Sequence, residues 1–84
     1  MKLTFHSDPG HGWLFVDTAQ LTALGLDRTS LSTYSYCDGS GVYAEEDCDA
    51  VVIINAAKDL GVELEFSEQH TDADHWIRRL SKCG

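Results

Sequence analysis

The sequence has few basic residues and no long apolar run, and each absence argues against a class of function. Its 84 residues include six lysines and arginines against 14 acidic residues, for a net charge of −8 at pH 7. A surface of that sign repels nucleic acid, so we expect no direct binding to DNA or RNA. No apolar run approaches membrane-spanning length, and none near the N-terminus resembles a signal peptide. We therefore expect a cytoplasmic protein without a membrane partner.

Cysteine and the usual catalytic motifs are also scarce. Three cysteines cannot all pair within one chain, and none belongs to a Cys-x-x-Cys motif. Reduced thiols are the simplest interpretation, with a Cys37–Cys48 disulfide as the alternative. The chain has no Cys/His nucleophile signature, no EF-hand loop and no glycine-rich phosphate loop. The length of the chain predicts a single domain over residues 1–84. The missing motifs predict that it is not an enzyme and needs no cofactor.

The acidic residues that are present are concentrated in one part of the chain. Residues 38–74 contain eleven acids and one lysine, whereas residues 1–37 are nearly neutral and residues 75–84 contain three basic residues and no acid. A patch of this kind attracts basic protein surfaces and speeds association with them. The alternative is that the acids only keep a small protein in solution.

Hydrophobic periodicity predicts an α+β fold with the element order ββαββαβα. We expect about five mostly antiparallel strands in one sheet, three helices packed on one face, and an opposite face partly open to solvent. The predicted strands cover 2–6, 13–16, 31–37, 42–44 and 62–66. The first helix begins at an Asp17 capping box, the second runs from an Asp47 cap to Leu60, and the third begins at Thr71 and includes Leu80.

A partner-binding surface is predicted on the open face of that sheet. Glu63 and Glu65 alternate with apolar residues and would lie roughly 6.5 Å apart, close to the phosphate spacing of a nucleic-acid strand. Capping and the helix dipole account for Asp47 and Asp49 but not for the two acids before them. An ordinary solvated sheet face is the alternative. The predicted partner-binding residues are Tyr34, Tyr36, Glu45, Glu46, Asp47, Asp49, Glu63 and Glu65.

The pattern His-x-Asp-x-x-His occurs twice, at residues 6–11 and 70–75. Imidazole and carboxylate groups are good ligands for zinc, manganese and iron. However, the first stretch spans a predicted turn and the second a predicted helix start, so the shared spacing does not imply shared geometry. A small metal-binding protein is therefore an alternative hypothesis, and we assign no metal site.

Four stretches resemble a group of small proteins encoded by bacteriophages and prophages, most of them without assigned function. These stretches are Asp8–Leu14 (DPGHGWL), Tyr34–Tyr36 (YSY), Tyr43–Ala50 (YAEEDCDA) and His70–Asp72 (HTD). A small acidic phage protein is also similar in type to anti-CRISPR inhibitors, several of which imitate DNA and occupy the DNA path of a type I surveillance complex.

The resemblance implies a monomeric or homodimeric inhibitor in the cytoplasm of a bacterial host. Its partner would be a basic, nucleic-acid-handling protein such as a CRISPR effector complex. A structural or accessory phage protein is the third hypothesis. The resemblance assigns no functional residue.

Overall fold

A six-stranded mixed sheet organises the chain in the computed structural model, which describes residues 1–73 and 75–83. The strands lie side by side in the order β5-β1-β2-β4-β3-β6, so β5 and β6 form the two edges. All neighbouring strands are antiparallel except β1 and β5, which run parallel. The strands are β1 (Lys2–Ser7), β2 (Gly12–Asp17), β3 (Tyr36–Asp38), β4 (Gly41–Glu45), β5 (Glu65–His70) and β6 (Ser81–Lys82).

The helices are fewer and shorter than the sequence predicts. The described residues form two α-helices, α1 (Thr18–Ala23) and α2 (Ala50–Asp59), and two 3₁₀ helices, Arg28–Ser30 and Trp76–Arg79. The α+β class is confirmed, whereas five strands and three helices become six strands and two α-helices in this part of the chain.

The first helix follows its sequence signals closely. The Asp17 carboxylate accepts a hydrogen bond from the backbone N–H of Gln20 at 2.7 Å, and the Gln20 side chain accepts one from the Asp17 N–H at 3.0 Å. This reciprocal pair is the predicted capping box. Gly25 adopts a left-handed φ of 72° just after the helix, a conformation that favours glycine. The strands predicted over 2–6 and 13–16 are present as β1 and β2 and form an antiparallel hairpin.

The predicted strand over 31–37 is mostly wrong. The chain forms the 3₁₀ helix Arg28–Ser30 and a turn, and β3 begins only at Tyr36. The physical reason is Asp49, whose carboxylate accepts hydrogen bonds from the N–H and hydroxyl of Ser32 at 3.0 and 2.7 Å. These bonds hold the segment against the start of α2 and keep it out of the sheet.

The starts of the two later helices also differ from prediction. Asp47 is not a cap: α2 begins at Ala50, and Asp49 holds the cap position without making a capping hydrogen bond. No helix begins at Thr71, because the Thr71 N–H donates to Ser7 O at 2.9 Å and continues the edge of the sheet. Only a short 3₁₀ helix follows, and its cap is the His75 ring, which accepts from the Ile77 N–H at 3.2 Å. The Asp74 part of the predicted cap lies outside the described residues.

Both expectations for the cysteines are wrong. Cys37 forms a disulfide with Cys83, and Cys48 is an exposed free thiol. β6 pairs with β3 in the register Cys37↔Ser81, which places Cys83 beside Cys37 with a Cα–Cα distance of 5.3 Å. That distance is within the normal range for a disulfide.

The sheet is packed on both faces. One face contacts the helices through a buried cluster that includes Leu3, Leu14, Val16 and Ile53. The other face, expected to be partly open, is covered in part by the C-terminal segment, and buried Trp13, Tyr43 and Ile77 form a second cluster there. The sequence signal for this second cluster is weak because Trp13 and Ile77 lie 64 positions apart in the chain.

Candidate partner-binding surfaces

The predicted partner-binding residues lie at two separate places on the molecule. Tyr34, Tyr36, Glu45 and Asp47 line one cleft, whereas Glu65 begins β5 at the far edge of the sheet. Strands β1, β2 and β4 lie between β5 and β3, so the single acidic face expected across the sheet does not exist. Glu63 lies before β5 and does not belong to a strand. The predicted phosphate-like spacing between Glu63 and Glu65 assumed that both lie in one strand, so that assumption is wrong.

The cleft has a volume of about 400 Å³ and aromatic walls that carry cations. Lys82 Nζ lies 4.5 Å from the centre of the Tyr36 ring, and the Arg78 guanidinium lies 5.3 Å from the centre of the Trp13 ring. Contacts of this kind stabilise a cation over an aromatic face. Tyr34 is 64% exposed at the rim. Since the cleft holds its own cations, its carboxylates do not make it a strongly acidic surface. The remaining lining residues are His11 and Cys48.

Glu45 is a structural residue of this cleft rather than a free surface acid. It is buried, and Oε2 accepts hydrogen bonds from the backbone N–H groups of Asp47 and Cys48, both at 2.9 Å. The carboxylate therefore holds the turn between β4 and α2. By contrast, Glu46 and Asp47 are exposed in that turn, where a partner could contact them.

Asp49 is likewise buried and fully engaged. Besides its bonds to Ser32, it accepts a short hydrogen bond from the Ser35 hydroxyl, and Ser35 Oγ in turn accepts from the Glu45 N–H at 2.9 Å. The network ties the 31–35 turn to both ends of the segment that joins β4 and α2. The Asp49 carboxylate is therefore not available to a partner protein.

We expect Asp49→Ala to lower the free energy of unfolding by about 1–3 kcal/mol, because it leaves the buried Ser35 hydroxyl without its acceptor. The exposed neighbour Asp47 is the matched control, and Asp47→Ala should stay within about 0.5 kcal/mol of the wild type. Urea unfolding of both variants measures this. Equal effects would contradict the structural role given to Asp49.

The second surface, here named the acidic edge, consists of Glu63, Glu65 and Glu68. All three are exposed, and none makes an ion pair with any residue of 1–73 or 75–83. Lys2 lies opposite Glu65 in the β1–β5 register without forming such a pair. The three carboxylates therefore have no ion-pair partner in the described chain, although the N-terminal ammonium of Met1 donates to the backbone oxygen of Glu63 at 2.7 Å and Lys58 lies in the neighbouring groove.

Next to the acidic edge is a shallow groove of about 280 Å³, here named the apolar groove. Phe66 is 52% exposed and Ile54 is 43% exposed, both high for large apolar side chains of a small protein. The alternation over 62–66 indicates that Phe66 faces the helices, which it does, but it gives no sign that this side chain is half exposed there. The groove is lined by Ile54, Ala57, Lys58, Val62, Leu64 and Phe66.

The two His-x-Asp-x-x-His stretches meet in the structure, but as packing partners. The rings of His6 and His75 lie 5.2 Å apart, and burial lowers the pKa of both histidines. The Asp8 carboxylate accepts hydrogen bonds from Arg78 Nε at 2.6 Å and Arg78 Nη2 at 2.8 Å, and from three backbone N–H groups. The described residues contain no group of three or more histidine, cysteine and acidic side chains placed to hold a metal ion.

No protein-family model, curated protein or solved structure matches the chain. Among the described residues, no helix is long and apolar enough to cross a bilayer.

Proposed function

We propose that the protein is a non-catalytic, phage-encoded inhibitor that binds a basic, nucleic-acid-handling bacterial protein through the acidic edge. The observation that carries the proposal is the set of exposed carboxylates at Glu63, Glu65 and Glu68 without ion-pair partners in the described chain. Exposed carboxylates raise the rate of encounter with a basic surface and disfavour acidic partners.

The distribution of charge over the sheet supports this choice of surface. Lys82 belongs to β6, five strand spacings from β5, or about 24 Å at the usual distance between strands. Arg78 is ion-paired with Asp8 on the covered face. The acidic edge can therefore approach a basic partner while the cations of the cleft stay at a distance.

An anti-CRISPR protein is the most specific version of the proposal. Such an inhibitor would occupy the basic channel through which a surveillance complex binds its target DNA, in the cytoplasm of the bacterial host, as a monomer or a homodimer. Inhibition that depends on charge in this way weakens as salt screens the interaction.

The test is inhibition of target-DNA binding by purified type I surveillance complexes, measured at about 0.05 M and about 0.3 M salt. We expect the wild-type protein to inhibit at low salt and the double variant Glu65→Lys/Glu68→Lys to lose at least about tenfold in affinity, roughly 1.4 kcal/mol. The reason is that both substitutions replace attraction by repulsion at the acidic edge.

The matched control is Glu46→Lys/Asp47→Lys, which changes the net charge equally but at the cleft. It should retain inhibition. Loss of inhibition in the cleft variant alone would move the partner surface to Tyr34 and its neighbours. Inhibition unchanged in both variants, or absent in the wild-type protein, would contradict the proposed function.

A further inference from the structure

We infer that the free edge of β5 binds an extended, basic segment of the partner as an added strand, with an apolar side chain of that segment in the apolar groove. This inference rests on the proposed function, and it specifies how the acidic edge recognises its partner. Three features carry it: the direction of the β5 backbone groups, the position of the groove, and the sign of the surrounding charge.

The backbone of β5 has one paired side and one unpaired side. The N–H of Glu65 donates to Met1 O, and the N–H of Thr71 donates to Ser7 O, both at 2.9 Å. Because donors alternate along a parallel ladder, the N–H and C=O groups of Phe66, Glu68 and His70 point away from β1. β5 is the last strand of the sheet, so no strand of the described chain pairs with these groups. An incoming strand finds a row of ready hydrogen-bond partners there.

The apolar groove lies where such a strand would place its side chains. Phe66 belongs both to the free edge and to the groove, and its side chain is on the helix-facing side of the sheet, in line with Leu3. Phe66 on the edge strand and Ile54 on α2 are both about half exposed. In strand addition, pockets for alternate side chains supply the specificity that the backbone bonds lack. The groove can take one such apolar side chain.

The carboxylates along the free edge favour a basic strand, although Lys58 lines the groove and Lys2 lies opposite Glu65 on β1. Glu68 shares the face of Phe66, whereas Glu65 points to the opposite face, so a bound strand meets acid on both of its faces. Lysine or arginine on the incoming segment would pair with these carboxylates. A second copy of this chain would bring a second acidic edge against the first, which like-charge repulsion opposes. Charged side chains on an edge strand also discourage pairing with other strands in general. A basic segment is the exception here, because the acidic side chains attract it.

The first test uses a synthetic ten-residue peptide that alternates lysine with valine, since the natural segment is not identified. We expect it to shift the NMR amide signals of Phe66, Glu68 and His70 in the wild-type protein. A peptide of the same sequence with alternate backbone nitrogens methylated keeps its charge but loses one row of donors. It should bind at least about tenfold more weakly, which corresponds to roughly one lost hydrogen bond. Equal binding of the two peptides would overturn strand addition.

The second test changes the protein. Glu68→Pro removes the N–H at the centre of the free edge and leaves the donors to β1 in place, and Glu68→Gln makes the same loss of charge with the N–H retained. We expect the proline variant to bind the peptide about tenfold more weakly than the glutamine variant. Phe66→Ala, which leaves the backbone intact, should also weaken binding and serves if the proline variant does not fold. Equal affinity of all three variants would overturn the inference.

The outcomes separate this inference from the proposed function. If charge reversal at Glu65 and Glu68 abolishes inhibition but Glu68→Pro matches Glu68→Gln, the acidic edge binds without strand addition, so the function stands and the inference falls. If the peptide binds β5 but no surveillance complex is inhibited, the function falls and the docking mode stands. If wild-type protein dimerises and Glu68→Pro makes it monomeric, the edge is occupied by a second copy and the inference is wrong.

Discussion

Reducing the Cys37–Cys83 disulfide, or replacing Cys83 with serine, should lower the free energy of unfolding by about 2–4 kcal/mol. The two cysteines lie 46 positions apart, so the bond closes a large loop and removes much freedom from the unfolded chain. For a domain of this size the loss corresponds to a fall in Tm of roughly 10–25 °C. Thermal unfolding with and without reductant measures it directly.

The control for this prediction is the third cysteine. Cys48 is an exposed free thiol, and Cys48→Ser should leave Tm nearly unchanged and preserve its response to reductant. Cys83→Ser should abolish the response to reductant. A wild-type Tm that does not move on reduction would contradict the pairing.

The disulfide also bears on where the protein acts. Disulfides persist in oxidising compartments and are rare in the cytosol, whereas the proposed inhibitor acts in bacterial cytoplasm. The bond joins β3 to the residue after β6, at the opposite edge of the sheet from β5. We therefore expect reductant to lower stability without weakening binding at the acidic edge at temperatures where the reduced protein is folded.

The parts of the fold that the sequence predicted well depend on local chemistry. The Asp17 capping box involves residues three positions apart, and the β1–β2 hairpin needs only a short turn between two apolar segments. Gly61 is another such case, since its left-handed φ of 71° follows α2 closely, as the sequence indicates. Signals of this kind are complete within a few residues and need no tertiary context.

The parts that the sequence predicted poorly depend on contacts between distant residues. The alternation over 62–66 shows which side chains face inwards, but pairing with β1 decides where the strand begins, and it begins at Glu65 and continues to His70. In the same way, Asp49 binds Ser32 and Ser35 at separations of 17 and 14 positions. The capping rules that explained Asp49 could not anticipate these bonds.

The candidate site was predicted in part for the same reason. Alternation with apolar residues predicts that Glu63 and Glu65 point to solvent, and both are exposed; of the two tyrosines predicted at the interface, Tyr34 is exposed and Tyr36 is half-buried. The free edge, the groove at Phe66 and the role of Glu68 depend on β5 being the outermost strand, which is a property of strand order. No local pattern encodes strand order.

The other large effect should come from Asp8, which joins the β1–β2 turn to the C-terminal segment. Asp8→Asn should lower the free energy of unfolding by about 3–5 kcal/mol, because the amide keeps only one of the two acceptor oxygens and at least two hydrogen bonds to a buried charged group are lost. The Asp8 side chain is 0% exposed and pairs with Arg78 through two hydrogen bonds. It also accepts from the N–H groups of Gly10, His11 and His75. Urea unfolding measures the change. Asp72→Asn is the control: its carboxylate is fully exposed and, among the described residues, contacts only the His70 ring, at 3.1 Å, so the free energy of unfolding should be nearly unchanged.

The same carboxylate predicts how stability depends on pH. Hydrogen bonds from Arg78 hold the pKa of Asp8 far below its ordinary value of 3.8. The folded protein therefore binds fewer protons than the unfolded chain in acid, and the stabilisation by Asp8 is complete above the ordinary pKa and lost as pH falls below it.

As pH is lowered from about 5 to about 2, the free energy of unfolding should fall more steeply for the wild-type protein than for Asp8→Asn. Some slope should remain in the variant, because hydrogen bonds from Thr29 and Ser40 also lower the pKa of Asp27 and Asp38. If the free energy of unfolding depended on pH equally in the two proteins, Asp8 would have the same pKa in the folded and the unfolded chain. That result would contradict the ion pair with Arg78.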